Sequence, residues 1–363
     1  MTFSFSTWLQ AMKRKASAEV RANHKVSRGR PRRAALQVET LEARTVPSTL
    51  TVSSFLDTGA VGDGSLRGEI LAAQSGDTIN FDPSLAGQTI TLTGGELAVS
   101  KSLDIEGLGA AQLAISGNNA SRVFDISAGT TVTLAGMTIT DGMANGSAPV
   151  RASAGGGILN LGNLTLTDDV VSNNQAVGDS HANALGRVGG AVGGALANLA
   201  TLTVTGTVFT GNQSVGAAGS SGNAAGSALG GAISTTGTAG ITDSRFTFNL
   251  TQAGSNCSGN ICATGSGGAI QNSGSLTVAG STFSNNQAIG GNDSSGPALA
   301  WAALSSAAVP PARMLRWWSP IARLTTTRPS AATAINSCRH QPTLSADPTK
   351  LSAAASISLP GPP

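Results

Sequence analysis

Residues 231–249 read GAISTTGTAGITDSRFTFN, and residues 268–286 read GAIQNSGSLTVAGSTFSNN. Both stretches open with a Gly-Ala-Ile step and end with an Asn that follows a Phe by three residues. A third copy has Leu196 in place of the Ile, and a more degenerate first copy has Val171 in place of the Phe. Two motifs that recur together in four copies indicate an internal repeat.

The repeat keeps a constant length. The four asparagines are separated by 38, 37 and 37 residues, and so are the four aliphatic residues of the glycine step. The asparagines are Asn174, Asn212, Asn249 and Asn286, and the aliphatic residues are Ile158, Leu196, Ile233 and Ile270. An asparagine at one place in every copy predicts a structural ladder of stacked amides. A second, partial ladder is predicted for Asn160, Asn198 and Asn272, with Thr235 interrupting it.

Short runs between the two motifs alternate apolar residues with threonine, which is the period-two pattern of a β-strand. Residues 164–167 (LTLT) and 202–205 (LTVT) are examples. Each copy therefore predicts one coil of three strands joined by turns. Coils of constant length that stack with their aliphatic residues inward form a single-stranded parallel β-helix, with neighbouring coils about 4.8 Å apart. The predicted fold class is all-β.

The combination of Gly-Gly-Ala-[Ile/Leu/Val] with Phe-x-x-Asn resembles the repeat of the polymorphic outer membrane protein family. The resemblance covers residues 155–291. It implies a right-handed parallel β-helix, which is the architecture of the passenger regions of that family.

Charge is distributed unevenly along the 363 residues. Residues 1–44 contain ten Lys or Arg and three Asp or Glu, whereas residues 45–296 contain six and fifteen. The repeat region is therefore acidic, and the pI of about 9.0 arises from the two ends. Because the basic residues lie outside the repeats, the composition argues against nucleic acid as a partner.

Residues 1–48 are predicted to form a basic leader. Residues 13–15 and 28–33 are basic clusters, and no apolar core of a secretory signal follows them. Basic arms of this kind bind nucleic acid or stay disordered. Residues 38–48 (VETLEARTVPS) instead resemble the Leu-Glu-x-Arg segment near the N-terminus of large exported planctomycete proteins, which implies export. We favour the export leader over the nucleic-acid arm.

Residues 49–82 are predicted to form an N-terminal cap. Residues 63–74 (DGSLRGEILAAQ) resemble the Cys-Ser-Leu-Arg-Glu-Ala motif that opens many secreted β-helical proteins, with Gly in place of the Cys. Ser65 can cap a short amphipathic helix. Such a helix would cover the open end of the first coil. Arg67 and Glu69 are expected to be a structural pair and not catalytic groups.

Residues 83–291 are predicted to form the parallel β-helix, and its later coils carry inserts rich in Gly, Ala and Ser. The inserts are residues 145–154, 177–190, 215–227 and 254–265, and a further one begins at residue 290. Each one follows the asparagine, so all are expected at one edge of the helix. Inserts on one face of a repeat protein often form its binding face. The same composition is equally typical of plain flexible surface.

Residues 292–363 are predicted to be an irregular tail. From residue 297 onward the chain contains one Gly but ten of its fourteen Pro, and the alternating strands are lost. The next glycine step is due near residue 307, where residues 305–308 read SSAA. This abrupt change is typical of a shifted reading frame or of an unrelated fused segment.

Few residues carry a chemical signature. Cys257 and Cys262 lie in one insert, and they are predicted to form a small disulfide loop in an exported protein. Asp168 and Asp169 are similar to the paired acids of β-helical pectin hydrolases. Acid–base cleavage of a sugar chain needs two carboxylates that converge on one substrate, with basic groups nearby. The repeat region offers only isolated arginines for that role: Arg151, Arg187 and Arg245.

Two functions follow from this pattern. The first is a non-catalytic extracellular or cell-surface protein that contacts a polysaccharide or another cell-surface protein through inserts on one edge. The alternative is a polysaccharide lyase or glycoside hydrolase of the pectinase type. We expect the first, with no cofactor, metal or catalytic residue. No apolar run reaches 18 residues, so no transmembrane segment is expected either.

Overall fold

The structure is a computed structural model of the chain. It describes residues 47–146, 153–181, 188–219, 224–256 and 263–293, together with short strands between residues 296 and 317. The predicted leader lies outside the described residues except for Pro47 and Ser48, and so does most of the predicted tail.

The first coils are built from short strands and one helix. In chain order they are β1 (Thr49–Val52), α1 (Leu66–Ala72), β2 (Thr78–Phe81), a 3-10 turn (Pro83–Leu85), β3 (Gln88–Thr91), β4 (Leu97–Val99), β5 (Leu103–Glu106), β6 (Leu113–Ser116), β7 (Phe124–Ile126), β8 (Thr131–Ala135), β9 (Thr138–Thr140) and β10 (Met143–Gly146).

The repeats contribute the next strands. They are β11 (Ile158–Asn160), β12 (Asn163–Thr167), β13 (Val170–Ser172), β14 (Gln175–Gly178), β15 (Ala191–Val192), β16 (Leu196–Asn198), β17 (Thr201–Thr205), β18 (Val208–Thr210), β19 (Gln213–Val215), β20 (Ala228–Leu229), β21 (Ile233–Thr235), β22 (Thr238–Thr242), β23 (Arg245–Thr247), β24 (Leu250–Gln252), β25 (Gly265–Ser266), β26 (Ile270–Asn272), β27 (Ser275–Ala279), β28 (Thr282–Ser284) and β29 (Gln287–Ile289). Short strands follow in the tail: β30 (Asn292–Asp293), β31 (Gly296–Pro297), β32 (Ala300–Trp301), β33 (Ala307–Ala308) and β34 (Leu315–Trp317).

Strands from successive coils stack into five sheets. Sheet 1 has the order β1-β2-β5-β8-β12-β17-β22-β27-β34, and sheet 2 has β3-β6-β9-β13-β18-β23-β28-β33. Sheet 3 has β4-β7-β11-β16-β21-β26, sheet 4 has β10-β14-β19-β24-β29, and sheet 5 has β15-β20-β25-β32. Every pairing among β1 to β29 is parallel and joins one coil to the next, for example β12 with β17 and β17 with β22. The prediction of an all-β parallel β-helix is confirmed.

The structure differs from the sequence-based description at two points. Strands β1 and β2 lie inside the segment predicted as a cap, yet they pair with each other and extend sheet 1. The stack of coils therefore begins near Thr49 and not at residue 83. From β10 onward the coils also contain short strands of sheets 4 and 5, which flank the inserts and were not among the three strands predicted for each coil.

The N-terminal helix is fixed by polar contacts. The Ser65 side chain accepts a hydrogen bond from Gly68 N at 3.0 Å, as an N-cap does. Arg67 pairs with Asp57 at 2.7 Å and also donates to the backbone O of Glu96 at 2.9 Å. Glu69 accepts from the backbone N of Gly64 and is not the partner of Arg67. These contacts attach the helix to the first coils.

The coils enclose one continuous apolar core. Alternate residues of each strand point inward, as in sheet 1, where Leu164, Leu166 and Val204 are at most 1% exposed. Phe209, Phe246 and Phe283 stack along the axis, with ring centroids 4.7 and 4.8 Å apart and nearly parallel planes. The phenylalanines of the repeat motif are therefore core residues held at the spacing of the coils.

Three corners of each repeat coil pass through the left-handed backbone region. One column contains Gly155, Gly193, Gly230 and Gly267, a second contains Gly136, Asp168, Gly206, Asp243 and Gly280, and a third contains Asn173, Gly211, Phe248 and Asn285. Gly, Asn and Asp tolerate this region, whereas other side chains are strained there. Phe248 is the exception, since its φ is 55° and its side chain is 62% exposed.

Phe248→Asn is expected to stabilise the protein by about 1 kcal/mol, because Asn adopts a positive φ with less strain than Phe. Equilibrium unfolding in urea measures the change. Phe248→Ala is the matched control: it removes the exposed ring but keeps a side chain that is unfavourable in this region. An equal gain for both variants would show that the ring, and not the backbone, is the source of the effect.

Candidate functional site

One corner of every repeat coil is held by an asparagine side chain. The structure places Asn174, Asn212, Asn249 and Asn286 in one column, each at most 5% exposed. Oδ1 of Asn212 accepts from the backbone N of Asn174 at 3.0 Å and from its Nδ2 at 3.1 Å. Nδ2 of Asn212 donates to the backbone O of Val171 at 2.8 Å. The same bonds repeat from Asn212 to Asn249 and from Asn249 to Asn286.

This column satisfies backbone groups where the strands end. The residue before each asparagine has a positive φ, so the chain turns there and regular pairing between strands is interrupted. A buried N–H or C=O without a partner costs about 1–3 kcal/mol, so the side-chain amides replace the missing backbone bonds. The column starts at Gly142, whose backbone N donates to Oδ1 of Asn174 at 2.8 Å.

The second predicted ladder joins Asn160, Asn198 and Thr235, and it does not include Asn272. Nδ2 of Asn160 donates to Oδ1 of Asn198 at 2.7 Å, and Nδ2 of Asn198 donates to Oγ1 of Thr235 at 2.9 Å. Thr235 therefore accepts one further bond through its hydroxyl, and the ladder ends there. Asn272 instead bonds within its own turn, to the backbone N and O of Gly274.

The inserts begin at sheet 4, directly after the asparagine column. In each coil the chain passes along sheet 4, through the insert, and returns along sheet 5. Gly189 N donates to Asp179 O at 2.7 Å and closes one insert at its base. One coil later, Gly226 N donates to Ala217 O at 2.8 Å and closes the next insert in the same way.

Neighbouring inserts are also joined along the axis. Ala217 N donates to Gly189 O at 3.2 Å, and the bond repeats one coil later from Gly254 N to Gly226 O at 2.9 Å. Because the same bonds recur with the period of the coils, the insert bases form a regular row along one edge of the helix.

The insert bases also cover apolar residues outside the main core. Ala154, Leu159 and Ala197 form a small second core, and Leu161 and Val192 pack against it. Leu159 and Ala197 belong to sheet 3, and Val192 belongs to sheet 5. Of the described insert residues, Ala154, Val188, Ala217 and Ala263 are buried.

The middle of each insert lies outside the described residues. These segments are residues 147–152, 182–187, 220–223 and 257–262. The predicted disulfide partners Cys257 and Cys262 fall in the last segment, as do Arg151 and Arg187 in the first two. All four segments start from the row of insert bases, so the structure brings the starting points of the insert tips to one edge.

The two candidate acids, Asp168 and Asp169, differ in their exposure to solvent. Asp168 is exposed at a left-handed corner, whereas Asp169 is 1% exposed. Oδ1 of Asp169 accepts from the backbone N of Met137 at 2.9 Å, and its Oδ2 is buried without a hydrogen-bond partner among the described residues. Burial raises the pKa of Asp169 to about 8. The pair therefore does not converge on a common substrate position, and Arg245 is exposed on sheet 2.

Asp169 occupies a buried position that recurs in every repeat coil, which the sequence did not reveal. The next three coils have Thr207, Ser244 and Ser281 at this place, all buried. Oγ of Ser244 accepts from the backbone N of Thr207 at 3.2 Å, and Oγ of Ser281 accepts from the backbone N of Ser244 at 3.1 Å. Asp169 occupies a position that requires an oxygen acceptor, which is a structural role.

Among the described residues, no group of three or more His, Cys, Asp or Glu side chains could hold a metal ion. The described residues also include no helix long and apolar enough to cross a membrane. No protein-family model matches the sequence. No curated protein and no solved structure matches it significantly.

Asn212→Ala is expected to destabilise the protein by about 3 kcal/mol, because it leaves Asn174 N and Val171 O buried without partners. The midpoint of urea unfolding measures the effect. Asn163→Ala, at an exposed position of β12, is the matched control and is expected to change stability by less than about 0.5 kcal/mol. Comparable losses for the two variants would contradict a special role for the column.

Asp169 is expected to make stability depend on pH. The pKa of its carboxyl is about 8 in the folded chain against an ordinary value of 3.8, so the folded state binds one more proton between these values. Stability is therefore highest at low pH and falls as pH rises from about 4 to about 8. Asp169→Ser, which copies Ser244, is expected to flatten this part of the curve and to raise the melting temperature at pH 8.0.

Asp104→Asn is the control, since this exposed aspartate on β5 lies two coils before Asp169 and should leave the pH dependence unchanged. Thermal unfolding followed by circular dichroism at pH 5.0, 6.5 and 8.0 compares the three proteins. A slope that persists in Asp169→Ser would assign the pH dependence to other groups.

Proposed function

We propose that this chain is a non-catalytic, exported β-helix protein that contacts a polysaccharide or another cell-surface protein through its row of inserts. The observation that supports this most directly is the closure of successive insert bases by the same backbone hydrogen bonds. The insert tips thereby start at intervals of about 4.8 Å along one edge. A rigid row of this kind suits a partner that is itself extended, such as a linear polysaccharide, because several weak contacts can then act together.

The finer assignments belong to the same proposal. The Gly-Gly-Ala and Phe-x-x-Asn motifs support membership of the polymorphic outer membrane protein family with a right-handed coil. The Leu-Glu-x-Arg segment of the leader supports export to the cell surface or beyond it. The pectinase-type alternative receives no support from Asp168 and Asp169, since one carboxyl is exposed and the other is buried in the coil wall.

The full chain is tested against a panel of soluble and insoluble polysaccharides. A variant in which residues 220–223 are replaced by Gly-Gly should lose most of the binding, because one tip is removed while its closed base remains. Thr165→Ala, on the outer face of sheet 1, is the control and should bind as the unaltered chain does. Equal binding by all three proteins would contradict contact through the inserts.

Two further measurements separate the alternatives. Release of reducing ends or of unsaturated products from any polysaccharide in the panel would favour the enzyme over the binding protein. Protease added to intact producing cells should degrade the protein if it is displayed at the surface, whereas a cytoplasmic marker should survive. Full protection from the protease, together with absence from the medium, would contradict export.

A further inference from the structure

The outer face of sheet 1 carries a two-dimensional array of small polar residues. In β8, β12, β17, β22 and β27 the second and fourth residues point into the core, and the first, third and fifth are exposed or half-buried. The pairings align these outward residues in three columns without a slip in register. The columns are Thr131, Asn163, Thr201, Thr238 and Ser275; Thr133, Thr165, Thr203, Gly240 and Thr277; and Ala135, Thr167, Thr205, Thr242 and Ala279. We call these fifteen positions the threonine face.

The composition of the threonine face is unusually uniform. Ten of its fifteen residues are threonine and none is charged, so the face presents mainly one chemical group. Exposed strand positions elsewhere in the protein do carry charge: Asp104 and Glu106 on β5 of the same sheet, and Arg245 on sheet 2. Charge is therefore tolerated on this helix, yet it is lacking over five successive coils of this face.

The array has two fixed repeats. Outward positions recur about every 4.8 Å along the axis and about every 6.6 Å along each strand, since successive outward residues are two positions apart in the sequence. Threonine is β-branched, so few rotamers are open to it on a strand. The Thr205 and Thr242 hydroxyls are 3.2 Å apart and hydrogen-bonded to each other, so this pair lies closer together than the coil spacing.

The chemistry of the face disfavours a sugar chain or a folded protein as its partner. Sugar and small-molecule sites combine apolar or aromatic walls with a few convergent polar groups, and protein interfaces rely on aromatic and arginine anchors. The threonine face has neither an aromatic nor an arginine side chain. What it offers is a lattice of groups that each donate and accept hydrogen bonds, with a methyl group beside each hydroxyl.

A lattice of this kind is complementary to ordered water. The axial repeat is close to an oxygen repeat on a prism face of ordinary ice, and water molecules that bridge hydroxyls can hydrogen-bond as well as direct protein partners do. The methyl groups restrict the orientations of the water between them. We propose that the threonine face binds ice: its hydroxyls hold a layer of water at lattice spacing, and this layer joins the growing crystal.

The full chain tests the proposal by thermal hysteresis and by inhibition of ice recrystallisation, with serum albumin at equal concentration as the baseline. The unaltered chain is expected to separate the melting and freezing temperatures and to shape the crystals. Thr203→Lys, at the centre of the face, should abolish most of this activity. Thr282→Lys is the matched control, because Thr282 is an exposed strand residue of sheet 2, and it should retain the activity.

A second variant guards against misfolding. Thr165→Val with Thr203→Val keeps the β-branched shape and removes only two hydroxyls, so it should fold with an unchanged circular dichroism spectrum and lose part of the activity. Activity of the unaltered chain no greater than that of albumin would overturn the proposal. Equal losses in Thr203→Lys and Thr282→Lys would do the same.

The outcome is separable from the function proposed for the inserts. The variant with residues 220–223 replaced should keep its ice activity, because the threonine face is unaltered. If Thr203→Lys instead loses binding to an insoluble polysaccharide while ice growth never responds to the protein, the face is a glycan surface and the ice proposal is wrong.

Discussion

The structure depends on coils that stack in a constant register. Each buried side chain must therefore fit its own coil and also pack against, or hydrogen-bond to, the coils before and after it. Phe209, Phe246 and Phe283 show this for apolar groups, and the asparagine column shows it for polar ones. A buried amide in the column bonds to the coil before it and the coil after it. An amide meets this demand because it offers donors and an acceptor on one planar group.

The parts of the fold that sequence reasoning recovered are those set by this register. A spacing of 37 or 38 residues and alternating threonine strands indicate sheets 1 to 3, since stacked coils must repeat their inward residues. Sheets 4 and 5 were missed because their strands, such as Ala191–Val192, are two to four residues long and rich in small residues. Their strand conformation depends on neighbouring coils and not on local propensity.

Single positions were harder to predict than the coil. Asp169 resembles a catalytic acid in sequence, but whether it faces solvent or the interior depends on where the corner at Asp168 turns. Thr235 was expected to break a ladder, and the ladder does end there, but its hydroxyl still accepts the bond that Asn198 donates. In both cases the requirement at the position is an oxygen acceptor, which several residue types satisfy. The identity of the residue alone does not reveal that requirement.

The closed insert bases have a consequence for how such a protein can change over generations. Because Gly226 N bonds to Ala217 O across the base of its insert, residues added or lost beyond that bond leave the circumference of the coil unaltered. Length variation at the tips is then nearly neutral for folding, while a one-residue insertion within a strand would move the inward side chains of the rest of that strand to its outer face. Selection can therefore diversify the insert tips freely and keep the scaffold fixed, in the way that antibodies vary their loops on a constant framework.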